Sequence, residues 1–117
     1  MYSQLLKNNI REFLIQRKID DETDLPDCPG YWDESAKKLY KIIDCEIDDL
    51  IQFMDQDCTE EEFLFLSEIS PELAEFSKSK HFVAGLYRLA EKYPQITKKY
   101  NLMLDIEDSE AALDDED

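Results

Sequence analysis

Apolar side chains recur along this chain at steps of three and four residues, the spacing of one face of an α-helix. From Ser3, a plausible N-cap, Leu5, Leu6, Ile10, Phe13 and Leu14 mark the buried side of a helix reaching about Lys18. Residues 19–32 break that rhythm with a run of acids followed by Pro26, Pro29 and Gly30, and read as a loop. Asp33 then suits the cap of a long helix whose apolar positions are Ala36, Tyr40, Ile43, Ile47, Leu50 or Ile51, and Met54. Thr59 and Glu62 have the spacing of a capping box and open a short helix through Phe63, Leu66 and Ile69. Ser70-Pro71 starts another, with the serine as cap and proline at the first helical position. Ser79 caps the next, carrying Phe82, Val83, Leu86, Leu89 and Ala90 up to Pro94, and a last short helix runs from Pro94 to Tyr100 with Asn101 at its C′ position.

These elements predict an all-α fold: one compact helical bundle of about five to six helices over residues 1–104. Residues 105–117 hold eight acids and no base, which predicts a solvated, flexible acidic tail, although Ile106, Ala111, Ala112 and Leu113 have the spacing of a transient helical turn. Alternating apolar–polar runs are missing, and only 2 glycines and 4 prolines punctuate the chain, against a turn-rich β fold or a phosphate-binding glycine loop.

Charge changes the picture most. The 117 residues carry 29 acids and 13 bases, a formal net charge of −16. Such a chain repels nucleic-acid phosphates and anionic membrane surfaces, so neither is an expected partner; it attracts a cationic protein. All 13 bases lie outside residues 19–36 and 42–77. On the helix begun at Asp33, a rotation of about 100° per residue brings Asp44, Asp48 and Asp55 onto one stripe beside the apolar face. Tyr31 and Trp32, set among acids, have the character of a binding hot spot; a fold-back onto the core is the competing reading. The expected partner-binding residues are therefore Tyr31, Trp32, Asp33, Asp44, Asp48 and Asp55.

Catalytic chemistry lacks parts. His81 is the sole histidine, and no serine or cysteine near it has a nucleophile's context, so no enzyme is expected. Asp55–Glu62 begins like a calcium loop, but its sixth position is Glu60 where glycine is needed, and its twelfth is Leu66 where a bidentate glutamate belongs. No metal site and no cofactor follow. Cys28, Cys45 and Cys58 form no CxxC pair and suit free thiols of a cytoplasmic protein. The first residues lack a basic segment followed by an apolar one, and the longest apolar run, Phe63-Leu64-Phe65-Leu66, cannot span a bilayer.

The stretch Phe63–Asn101, above all Ser77-Lys78-Ser79-Lys80-His81-Phe82 and Leu89-Ala90-Glu91-Lys92-Tyr93-Pro94, resembles the small α-helical immunity proteins of bacterial contact-dependent growth inhibition and related polymorphic toxin systems. The resemblance implies a non-catalytic protein that binds a cognate toxin domain, commonly a nuclease, and covers its active site or substrate surface. The alternative is an acidic helical adaptor, or nucleic-acid mimic, that regulates a basic cellular protein. A nuclease cleft must attract phosphate and is therefore basic, so an inhibitor of it should be acidic.

Overall fold

A computed structural model describes residues 2–113. Their elements are α1 (Gln4–Asp21), a 3-10 turn (Leu25–Asp27), α2 (Tyr31–Ile42), α3 (Ile47–Gln56), α4 (Glu60–Ser67), α5 (Ser70–Ser77), α6 (Lys80–Lys92), α7 (Pro94–Lys99) and α8 (Leu102–Leu113), with no strand among the described residues. The caps explain most boundaries. The Ser3 hydroxyl accepts from the Leu6 amide, and Ser79 does the same for Phe82. At α4 the box is reciprocal: the Glu62 amide donates to the Thr59 hydroxyl at 3.2 Å, while the Thr59 amide donates to the Glu62 carboxylate at 2.9 Å. Asn101 takes a left-handed φ of 54° between α7 and α8, the C′ geometry its residue type favours.

Eight α-helices replace the expected five to six, for two reasons. The long helix expected from Asp33 to Met54 is broken between α2 and α3, where Asp44 (φ 54°) and Cys45 (φ 61°) are both left-handed. The Cys45 amide donates to the Tyr40 carbonyl at 2.8 Å and the Asp44 amide to that of Lys41 at 2.9 Å. This is a Schellman closure with aspartate in the place usually held by glycine. The second reason is α8. Residues 105–113, expected in a flexible tail, continue a helix whose Leu102, Ile106 and Ser109 are buried at steps of four and three. The boundary expected after residue 104 thus falls inside α8, and residues 114–117 of the expected tail lie outside the described residues.

Two smaller differences concern helix starts. Ile69, not Ser70, precedes the first turn of α5, and the Ser70 hydroxyl instead donates to the Ser67 carbonyl at 2.7 Å. Helix α2 begins at Tyr31 behind Gly30 (φ 80°), which places Asp33 in the first turn and not at the cap.

All eight helices share one core. Phe53, Phe63 and Phe82 sit at its centre, fully buried, with Ile10, Leu39, Leu50, Leu66, Leu73 and Leu86 around them. α5 and α8 form the most extensive contact between helices, followed by α3 and α6. The α3–α6 crossing is close because Gly85 has no side chain: a Cβ there would lie 3.0 Å from Met54 Cε. Gly85→Leu is expected to push the two helices apart and cost about 1–3 kcal/mol or more, read as a lower midpoint of urea denaturation.

Candidate acidic binding surface

The corner between α2 and α3 brings three exposed acids, Asp44, Glu46 and Asp48, close together. Its left-handed pair turns the chain sharply, so Asp44 and Glu46 stand on the corner and Asp48 and Asp49 follow in the first turn of α3. Asp44, Glu46 and Asp48 are exposed, and Asp49 is half-buried. Among the described residues no base forms an ion pair with Asp44, Glu46 or Asp48. Asp48 and Asp49 are stabilised by the positive end of α3, whereas Asp44 occupies a backbone region that costs a non-glycine residue about 1 kcal/mol. Beside them lies a shallow groove of about 240 Å³, walled by Asp44, Glu46 and Asp49 on one side and by Ser3, Leu5 and Asn9 of the α1 start on the other. Leu5 is 70% exposed there, an apolar contact point next to the carboxylates.

The six residues singled out from the sequence fall in three places. Asp44 and Asp48 share the corner. Asp55, seven residues after Asp48, lies on the same face of α3, but Asp44 is not on that helix, so the expected stripe of three is a pair on α3 plus a corner residue. Asp55 is also committed: Arg88 of α6 holds both its oxygens at 3.0 Å. Tyr31, Trp32 and Asp33 open α2 at the far end of a helix about 18 Å long. Asp33 is exposed. Tyr31 and Trp32 fold back and pack edge to face, their centroids 5.2 Å apart.

What they fold onto is Arg17, which sequence reasoning passed over. Only 1% of this arginine is exposed. Its guanidinium lies 5.0 Å from the Trp32 ring centroid, 5.6 Å from that of Tyr31 and 5.9 Å from that of Phe65. It pairs with Glu68 and donates to the Tyr31 hydroxyl at 2.8 Å, and that hydroxyl donates to Asp20 at 2.9 Å. The signal was present: Ile10, Leu14 and Arg17 step by four and three along the buried face of α1.

Three carboxylates are raised above their ordinary range. Burial pushes Glu68 up to about 7, with the charges of Asp21 and Asp105 adding to the rise and Arg17 opposing it. Burial, with Asp108 nearby, pushes Asp105 up to about 6. Glu72 is raised by burial and by the charges of Asp33, Glu75 and Asp105, and its Oε1 is buried with no hydrogen-bond partner. Elsewhere Asp57 is held below the usual carboxylate range by the hydrogen bond from the Tyr2 hydroxyl and by Lys7.

His81 is exposed at the start of α6, and no three or more His, Cys, Asp or Glu side chains among the described residues converge on a metal-holding point. Cys28, Cys45 and Cys58 are free thiols; the first two are exposed, and Cys58 is buried, which with the charge of Glu62 pushes its thiol up to about 12. A disulfide-exchange reagent at pH 8 is therefore expected to titrate two thiols rapidly in the native protein and the third only on denaturation. Three fast thiols would mean that the α3–α4 junction opens easily. No described helix is long and apolar enough to cross a membrane. No protein-family model, no curated protein and no solved structure matches the chain.

Proposed function

We propose that this chain is an immunity protein: a non-catalytic helical inhibitor that binds a basic toxin domain, a nuclease, and neutralises it by covering the surface that takes its substrate. The observation that carries the reading is the α2–α3 corner, where Asp44, Glu46 and Asp48 are exposed, unpaired with any base among the described residues and fixed on a backbone that two left-handed residues define. A cleft built to hold phosphates presents arginines and lysines, and carboxylates already in place can meet them with little loss of side-chain freedom. Net charge of −16 adds long-range attraction, which raises the association rate at low salt. Tyr31 and Trp32 hold the α1–α2 junction on Arg17 at the other end of α2, where Asp33 adds a further exposed carboxylate.

Co-expression with the product of the gene immediately upstream tests the proposal. A one-to-one complex that survives purification, and in which the partner's nuclease activity is lost, is the expected result. Complex formation with full nuclease activity would point to an acidic adaptor instead. Failure of the two to associate at low salt would remove the immunity reading.

A further inference from the structure

α1 and α2 run antiparallel past each other and leave an open groove between them. On the α1 side, Leu6, Asn9, Phe13 and Gln16 fall at steps of three and four, one stripe of the helix. On the α2 side stand Lys38, Lys41 and Ile42. The stretch between Phe13 and Lys41 has a volume of about 520 Å³. It runs into the groove of about 240 Å³ beside the acidic corner, because Asn9 and Ile42 line both. Leu6, Phe13 and Ile42 are half-buried along the floor, and Leu5 is exposed at the corner end. Resting on the immunity reading, we propose that this groove is a second part of the binding surface and takes an amphipathic helix of the basic partner. The apolar face of that helix lies on Leu6, Phe13 and Ile42, its carboxylates face Lys38 and Lys41, and its basic side chains face Asp44 and Glu46.

Charge sets the chemistry of the occupant. Lys38 and Lys41 are exposed and, among the described residues, pair with no carboxylate. They stand on the α2 bank, Glu12 stands on the α1 bank, and Asp44 and Glu46 close one end. A uniformly basic segment would suit the corner and be repelled by the two lysines, and a uniformly acidic one would suffer the reverse. A segment of mixed charge satisfies both. Continuity with the corner assigns it to the same partner, because a chain whose basic side chains reach Asp44 already lies at the mouth of the groove. A second copy of this chain, at a net charge of −16, would meet long-range repulsion instead.

Shape favours a helix over an extended segment. Both banks are helical, and no strand edge exists among the described residues to pair an extended backbone. An extended chain over this apolar floor would leave amides without partners, whereas a helix satisfies its own. From Ser3 to Gln16 the groove follows α1 for about 20 Å, the length of about three to four helical turns.

Surface plasmon resonance of the full chain against the product of the gene immediately upstream tests the groove. Lys38→Glu with Lys41→Glu should raise Kd at least about tenfold, even though the added negative charge strengthens long-range attraction to a basic partner. Lys80→Glu with Lys92→Glu makes the same change of charge at exposed positions of α6 that do not line the groove, and should leave Kd unchanged or lower it. Asn9→Trp, at the exposed position shared by both stretches, should raise Kd by a similar factor by filling the space. Hydrogen exchange of the complex should protect one uninterrupted stretch of the partner, and protection scattered over separate loops overturns the helical occupant. Groove variants that bind like the unmodified chain, while Asp44→Lys with Asp48→Lys still weakens the complex, overturn the groove and leave the immunity reading standing. An equal loss from the two lysine pairs overturns it as well, and so does a dimer of the free chain that Asn9→Trp dissolves. No complex with the unmodified chain removes the groove and the immunity reading together. Should Lys38→Glu with Lys41→Glu not fold, Lys38→Gln with Lys41→Gln decides by the same comparison.

Discussion

Arg17→Ala is expected to destabilise the fold by about 3–5 kcal/mol at pH 7, the range for removing one partner of a buried ion pair. Three losses combine. The guanidinium leaves the faces of Trp32, Tyr31 and Phe65, half-buried Glu68 loses the cation that favours its ionised form, and a large, fully buried side chain becomes a void. The loss should shrink toward pH 5.5, because a protonated Glu68 needs no partner; its raised value, about 7, places that change within reach of ordinary buffers. Arg17→Met combined with Glu68→Gln removes both charges and keeps most of the volume, so it should cost clearly less than Arg17→Ala alone. Urea denaturation of the two variants at both pH values reads all of this. A cost under about 1 kcal/mol for Arg17→Ala would show that the cage around it is not what ties α1 to α2 and α4.

Reversing the corner charges is expected to have the larger effect on binding. Asp44→Lys with Asp48→Lys should raise the Kd for the basic partner more than about a hundredfold, several kcal/mol, through repulsion and unpaired charge. Both positions are exposed, so the fold should persist; Asp44 tolerates its left-handed backbone better than lysine would, and Asp44→Asn with Asp48→Asn removes charge with less strain. That neutral pair should give an intermediate loss. Reversal of Asp55 should act differently, since it first breaks the bidentate contact with Arg88. Surface plasmon resonance at two salt concentrations separates slower association from faster dissociation. An unchanged Kd for the double reversal, with the helical spectrum intact, would move the interface elsewhere on the molecule.

Helix type was legible because each cap has a chemical signature: Ser3, Thr59 with Glu62, Ser79 and Asn101 all act as their residue types suggest. The break at Asp44–Cys45 was not, since neither residue is a glycine or proline and the apolar steps run through it without interruption, from Ile43 to Ile47. Tertiary packing supplies what the local sequence lacks: Ile43 is buried below the corner and Leu50 beyond it. The C-terminal helix was hidden by composition. Its acids point outward at Glu107, Asp108 and Glu110, while Ile106 and Ser109 are buried, the serine hydroxyl 2.9 Å from that of Ser70. Of the candidate site, the acids at 44 and 48 could be read as exposed charge, but the packing of half-buried Tyr31 and Trp32 against Arg17 depends on a contact between helices that single-helix periodicity cannot reveal.

The break between α2 and α3 also sets what can vary. An uninterrupted helix over residues 31–56 would be about 39 Å long, more than the molecule's largest extent of 34 Å, so the chain bends near residue 44 to fit inside its own diameter. Compactness therefore demands the bend, and the buried side chains on either side of it enforce the bend without specifying the residues on its outer surface. Positions 46 and 48 can change identity with little penalty to the core, and position 44 can do so among residues that accept a left-handed backbone. Under the proposed binding role, a partner that drifts in shape or charge can be followed by substitutions at this one bend, leaving the rest of the scaffold untouched.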